Sequence, residues 1–162
     1  MSYENTIGWK QNNLGNLRGD GVKWIGKTGM KNGFSVFIDK THGVRAIFVD
    51  LLSKLKTGTN TVEKIISKYA PPTENNTKAY IDFVAKNLGK AKNAIVEQSD
   101  LEKIVKAIIK HETGYVISDY EIQKAKNLVN TAVNTVKKKN NYSLILFGII
   151  ILVIIAYYFN EK

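Results

Sequence analysis

The segment LEKIVKAIIKHETGY, residues 101–115, carries the strongest pattern in the chain. Its apolar residues recur every three or four positions and cover almost the whole circumference of a helix, which is typical of a helix at the centre of a domain. Ser99 and Glu102 have the spacing of a capping box at the start of this helix, and Gly114 suits a left-handed position after its end. We therefore predict a central buried helix that ends before Gly114.

Glu112 lies in the last turn of this predicted helix, where two effects favour a protonated carboxyl group. The peptide dipoles present negative charge at a helix C-terminus, and apolar neighbours oppose ionisation, so both raise the pKa. A general acid in catalysis needs such a carboxyl group, still protonated near neutral pH. We therefore predict Glu112 as the catalytic acid; a solvated helix-end carboxylate beside Lys110 is the alternative.

Four more amphipathic helices and a small β element are expected around the central helix. Gly89 suits the end of one of them, and Ser118 with Glu121 has capping-box spacing at the start of another. The runs VKWI (22–25) and FSVFI (34–38), separated by the turn-rich GKTGMKNG, predict a small hairpin or irregular lobe. The fold is therefore predicted to be mainly α, of the α+β class. The helical spacing covers residues near 39–57, 60–70, 79–88 and 118–136.

Residues 144–159 read LILFGIIILVIIAYYF, a nearly unbroken apolar run that predicts a transmembrane helix over 142–159. Lys137, Lys138 and Lys139 precede it, and the positive-inside rule then places the preceding domain on the cytoplasmic side. With no apolar signal segment near residue 1, the expected topology is a tail anchor. The predicted organisation is a domain, a basic linker, the membrane helix and a short tail, over 1–136, 137–141, 142–159 and 160–162.

Composition narrows the chemistry. The chain has no cysteine and two histidines, which excludes a disulfide scaffold, a cysteine nucleophile and a zinc site of the usual kinds. No metal or cofactor is expected, so any catalysis must use carboxylates, hydroxyls or amides. The formal net charge of +10 falls on residues 1–141, which precede the apolar run.

An ordered series of motifs resembles a family of bacteriophage virion proteins with a lysozyme-like, peptidoglycan-degrading domain. The motifs are NNLGNLR (12–18), Trp24, GF (33–34), GVRA (43–46) and APPTENN (70–76), and the resemblance covers roughly residues 10–125. Leu14 stands where the family usually has proline, and Asn76 where it often has aspartate.

The string ETGY (112–115) is similar to the Glu-Ser-Gly-Trp that carries the catalytic glutamate of flagellar and autolysin-type glucosaminidases. In those enzymes the glutamate precedes a segment like Asn16, Leu17 and Trp24, whereas here it follows. The resemblance therefore implies a circularly permuted lysozyme-like domain, which is plausible because the termini of compact domains often lie close together.

The resemblance also implies a site. Glu74 is a candidate second carboxylate, although its composition also suits a helix start. Amides and an arginine are expected to bind the glycan, and aromatic rings to stack on sugar faces, although glycine–asparagine clusters usually make turns and aromatics usually belong to the core. The predicted catalytic residues are Glu112 and Glu74, and the predicted substrate-binding residues are Asn13, Asn16, Arg18, Trp24 and Tyr80.

The predicted function is cleavage of the bond between N-acetylmuramic acid and N-acetylglucosamine by a membrane-anchored, virion-associated enzyme that aids phage genome delivery. With one convincing acidic residue, a lytic transglycosylase is the narrower expectation and a muramidase the broader one. The alternative is a non-enzymatic, membrane-anchored virion structural protein whose basic domain binds capsid or nucleic acid. Lysines scattered over helix faces argue against nucleic acid.

The expected location is an internal membrane of the virion, and the host cytoplasmic membrane before assembly. Peptidoglycan lies outside the cytoplasmic membrane, whereas the domain is expected on the inner side of that membrane. An enzyme anchored in a membrane inside the virion would reach the wall during entry, which accounts for this topology. The expected partners are peptidoglycan, a lipid bilayer through residues 142–159, and other virion membrane or capsid proteins.

Overall fold

The computed structural model of the protein describes residues 2–73, 76–131 and 138. One structural unit covers Met1–Lys126. The elements in chain order are a 3-10 turn Tyr3–Asn5, α1 (Ile7–Lys10), β1 (Lys27–Lys31), β2 (Phe34–Phe37), α2 (Lys40–Lys56), α3 (Val62–Tyr69), α4 (Thr77–Leu88), a 3-10 turn Gln98–Asp100, α5 (Leu101–Thr113) and α6, which begins at residue 119 and is described to residue 131.

Helix α5 forms the centre of the core, as its sequence predicts. Its neighbours include α4, α2 and α1. Val105, Ile108 and Ile109 have no exposed surface. Gly114 follows the helix in the left-handed conformation, with φ of 76°, so the predicted end is confirmed.

The predicted capping box at the start of α5 is wrong. The reciprocal pair is formed by Glu97 and Asp100 around the 3-10 turn that leads into the helix. Glu102 instead forms ion pairs with Lys106 at 3.0 Å and Lys126 at 2.9 Å. The chain therefore turns two residues earlier than Ser99 would require.

The other predicted helices are present with small shifts at their ends. Asp39 caps α2 by accepting a hydrogen bond from the His42 amide at 2.8 Å. Helix α3, expected from residue 60, begins at Val62, because the Thr61 side chain caps it by accepting a hydrogen bond from the Lys64 amide. Gly89 ends α4 with φ of 75°, which confirms that prediction.

The predicted capping box of α6 is confirmed. The Ser118 amide donates to Glu121 Oε2 at 3.0 Å, and the Glu121 amide donates to Ser118 Oγ at 3.3 Å. Both donors would otherwise be unsatisfied at the helix start.

The small β element is a two-stranded antiparallel hairpin. Asn32 and Gly33 form its turn with φ of 53° and 77°, the left-handed pair that a two-residue hairpin turn requires. The predicted strand over residues 22–25 is wrong, because the strand that pairs with Phe34–Phe37 lies at Lys27–Lys31, inside the segment expected to be turn.

The predicted fold class is corrected in its membrane part. Among residues 2–73, 76–131 and 138, no helix is long and apolar enough to cross a bilayer. Helix α2, for example, has 17 residues, but it includes charged side chains such as Asp50 and Lys54 that oppose insertion into a bilayer. The predicted membrane segment 142–159 and the tail lie outside the described residues, as does the linker apart from Lys138. The described fold is mainly helical with one two-stranded sheet.

Candidate functional site

A cleft of about 500 Å³ opens between the loop after α1, helix α2, the end of α3 and the end of α5. Its volume lies in the range of small-molecule sites. The lining mixes apolar surface with charge of both signs. The residues that matter most for chemistry are Asn16, Arg18, Trp24, Asp50, Tyr69 and Glu112.

Glu112 lies in the wall of this cleft, mostly buried, in the last turn of α5. Burial raises the pKa of its carboxyl group, while the Asn16 amide and the Tyr80 hydroxyl lower it, and the resulting pKa is above the usual glutamate value. Asn16 Nδ2 donates to Glu112 Oε2 at 2.7 Å. The predicted upward shift of the Glu112 pKa is confirmed, with desolvation as its main cause.

The loop that carries Asn16 is held by Asn13. Asn13 Nδ2 donates to the carbonyl oxygens of Leu17 at 2.9 Å and Ser35 at 2.8 Å, and its Oδ1 accepts from the Leu17 amide at 2.9 Å. Its side chain has no exposed surface, and it does not line the cleft. Asn13, predicted to bind substrate, is therefore corrected to a residue that shapes the loop.

Two glycines let this loop lie directly against the helices. A Cβ atom at Gly15 would overlap the Tyr69 hydroxyl and the Ile47 side chain, and one at Gly43 would overlap the Asn12 carbonyl oxygen. The Tyr69 hydroxyl donates to the Gly15 carbonyl oxygen at 2.5 Å. The glycines of NNLGNLR and GVRA thus serve close packing that brings Asn16 to Glu112.

Three predicted substrate-binding residues meet Glu112 in the cleft: Asn16, Arg18 and Trp24. The Arg18 guanidinium lies 4.9 Å from the centre of the Phe34 ring, a cation–π distance. Trp24 is partly exposed, so part of its ring faces solvent.

Tyr80, also predicted to bind substrate, is in a different position. It is 1% exposed and stacks on the His111 ring with centroids 3.6 Å apart. Its hydroxyl meets no partner with full hydrogen-bond geometry, yet it favours the ionised form of Glu112. The prediction that Tyr80 stacks on a sugar is therefore corrected, because Tyr80 is a buried neighbour of Glu112. Glu74 lies outside the described residues.

The sequence prediction missed Asp50. It lines the cleft from α2 and forms an ion pair with Lys54 at 2.5 Å. In the sequence, Asp50 resembles any polar residue on the outer face of an amphipathic helix. Only its position one residue before the buried Leu51 indicates that it lies near the core boundary.

No group of three or more histidine, aspartate or glutamate side chains that could hold a metal ion is found within the described ranges, 2–73, 76–131 and 138. The cleft offers groups for acid–base chemistry by carboxylates: one mostly buried carboxyl group, one ion-paired carboxylate, and cationic and aromatic groups around them.

Comparison with known proteins gives one relationship of direct use. No protein-family model matches the chain. Protein P5 of Pseudoalteromonas phage PM2 is 31% identical to it over 113 residues, which cover 66% of this chain and 71% of Protein P5. Identity at this level over most of both chains indicates common descent. The chain belongs to the bacteriophage protein family that includes Protein P5 of phage PM2.

Proposed function

We propose that the protein cleaves the glycan strand of peptidoglycan, with Glu112 as the general acid. One observation carries the proposal: Glu112 lines an open cleft, and burial raises its pKa. A carboxyl group in this condition keeps its proton closer to neutral pH, as a general acid for glycoside cleavage must.

Glu112 would donate its proton to the oxygen between N-acetylmuramic acid and N-acetylglucosamine. The departing sugar leaves positive charge on the ring that remains, which has oxocarbenium character. Asn16 binds Oε2 of Glu112 and so leaves the other oxygen to carry the proton. The same amide stabilises the carboxylate that forms when the proton has left.

The rest of the cleft suits a glycan that carries acidic groups. Trp24 offers part of an aromatic face for a sugar ring, and Arg18 and Lys68 supply positive charge in the lining of the cleft. Carboxylates of the wall polymer would bind near these cations, because opposite charges attract most strongly where the walls exclude water.

The pairing of Asn16 with Glu112 also supports a circularly permuted lysozyme-like domain. These residues are separated by 96 positions in the chain, yet they share a hydrogen bond. In the glucosaminidases that the sequence resembles, an Asn-Leu segment follows the catalytic glutamate. The same two segments would here form one site with their order along the chain reversed.

Membership of a bacteriophage family supports a role in the virus, where an enzyme of this kind would open the host wall during infection. We propose that the protein is carried in the virion. Particles purified from infected cells are then expected to contain it, and mass spectrometry of washed particles is the direct check. Particles that lack the protein would contradict this location.

Activity is tested with the full chain in a turbidity assay on purified cell walls. The wild type is expected to clear the suspension, and Glu112→Gln to lose about 100-fold or more of the rate, since general acids contribute roughly 10²–10⁴-fold. Glu63→Gln is the matched control, because Glu63 is exposed and lies in α3 away from the cleft lining.

Equal clearing by wild type and Glu112→Gln would remove Glu112 as the acid. No clearing by the wild type would favour the second candidate function, a non-enzymatic virion structural protein, with which membership of a bacteriophage family is equally compatible.

A further inference from the structure

Two carboxylates share the cleft, one on α2 and one on α5. The charges of both carboxylates affect Tyr69. Burial raises the pKa of the Tyr69 hydroxyl, and the negative charge of Glu112, followed by the smaller effect of Asp50, raises it further. The Tyr69 hydroxyl is itself bonded to the Gly15 carbonyl oxygen. Asp50, Tyr69 and Glu112 all line this one cleft.

The environments of the two carboxylates differ in a way that separates their roles. Both oxygens of Asp50 accept hydrogen bonds from Lys54 Nζ, at 2.6 and 2.5 Å, so Asp50 is the anionic member of an ion pair. The polar neighbours of Glu112 are the neutral side chains of Asn16 and Tyr80. The two carboxylates therefore differ in their partners, which are a lysine ammonium group for Asp50 and neutral side chains for Glu112.

The ion pair with Lys54 also holds the carboxylate of Asp50 in place. It is only 16% exposed, and its Nζ is 5.7 Å from the centre of the Tyr69 ring. Asp50 is 21% exposed, so it retains contact with the solvent that fills the cleft. A carboxylate that is held in place and still wetted can take a proton from water.

We infer that Asp50 is the second catalytic carboxylate and that the reaction is hydrolysis, with water capturing the sugar. This inference rests on the proposed function of Glu112. It also departs from the transglycosylase expectation, which assumed a single acidic residue.

The reaction balances with water as the only co-reactant. The bond from the anomeric carbon to the glycosidic oxygen breaks, and its electron pair takes the proton of Glu112. Asp50 accepts a proton from water while the water oxygen bonds to the anomeric carbon. The products are two shorter strands, one of which has a new hydrated reducing end. A proton then passes through solvent from Asp50 to Glu112 and restores both groups to their starting states.

The first test uses the wild-type full chain alone. Purified peptidoglycan is digested in water enriched in oxygen-18, and the released fragments are analysed by mass spectrometry. We expect new reducing ends that carry the heavy isotope. Fragments with 1,6-anhydro ends and no isotope would overturn the inference while leaving the proposed function intact, and no release at all would overturn both.

The second test compares Asp50→Asn with Asp82→Asn, an exposed aspartate in α4 outside the cleft lining, as the control. Asp50→Asn is expected to lose about 100-fold or more of the rate. Azide, a small anion that needs no base, is expected to restore strand cleavage and to appear bonded to the new end. Wild-type rates in Asp50→Asn, or loss without rescue by azide in a folded variant, would overturn the role of Asp50.

Discussion

At the scale of single residues, the central feature is a carboxyl group that is buried among neutral partners. Desolvation opposes the ionisation of Glu112, and the Asn16 amide and the Tyr80 hydroxyl reduce that cost without removing it. The ionised form therefore lowers the stability of the folded state relative to the protonated form.

Replacement of Glu112 by glutamine is expected to change how stability depends on pH. Because the pKa of Glu112 is raised in the folded state, that state binds its proton more tightly than the unfolded chain does. The unfolding free energy of the wild type, relative to Glu112→Gln, should fall as pH rises from the ordinary glutamate pKa through the raised one. Denaturant unfolding at a series of pH values measures this, and parallel curves for the two proteins would contradict it.

Replacement of Asn16 by glycine is expected to raise the pKa of Glu112 further. Asn16 donates to the carboxylate and so favours its ionised form, and this effect is lost in Asn16→Gly. Glycine accepts the positive φ of 49° at this position, so the loop is not strained by the change. The alkaline limb of the pH–activity profile should move to higher pH, whereas Asn32→Gly in the hairpin turn, where φ is 53°, should leave it in place. A shift to lower pH in Asn16→Gly would contradict this role.

At the scale of elements, periodicity and capping chemistry predicted most of the fold. The ends of α4 and α5 at Gly89 and Gly114 followed from the glycines alone, because a left-handed residue after a helix favours glycine. Predictions failed where two local signals competed. Glu97 with Asp100 and Ser99 with Glu102 have the same spacing. The ion pairs of Glu102, with Lys106 one turn further along α5 and with Lys126 in α6, favour the first pair.

Packing of the loop after α1 against α2 gives a stability prediction. Gly43→Ala would place a Cβ atom onto the backbone carbonyl oxygen of Asn12, which cannot rotate away. We expect a loss of about 3 kcal/mol in the free energy of unfolding, since overpacking of this kind typically costs about 1–3 kcal/mol and sometimes more. Gly29→Ala in β1 is the control because nothing lies within 4 Å of its Cβ position. Equal effects in denaturant unfolding would contradict the close approach.

At the scale of the whole molecule, the cleft combines segments that no local pattern connects. The family resemblance predicted Glu112, Asn16, Arg18 and Trp24, and the compact fold brings all four to one cleft. Asp50 was not predicted because a polar residue on an amphipathic helix is normally solvated, and only tertiary contact reveals otherwise.

The net charge gives a prediction for substrate binding. With a formal charge of +10, the protein should bind anionic cell-wall material more weakly as salt rises, because the Debye length falls from about 30 Å at 0.01 M to about 8 Å at 0.15 M. Co-sedimentation with purified walls over this range measures the effect. Neutral chitin is the control polymer, and equal salt dependence for both would contradict an electrostatic contribution.

The most direct test of the central claim is to identify the bond that the full chain breaks in purified peptidoglycan, by mass spectrometry of the released fragments. We expect the wild type to release fragments cut between N-acetylmuramic acid and N-acetylglucosamine. Glu112→Gln is expected to lower the amount released by about 100-fold or more, in line with the loss of a general acid. Equal release by the two proteins, or intact glycan strands after treatment with the wild type, would contradict the assignment of Glu112 as the acid.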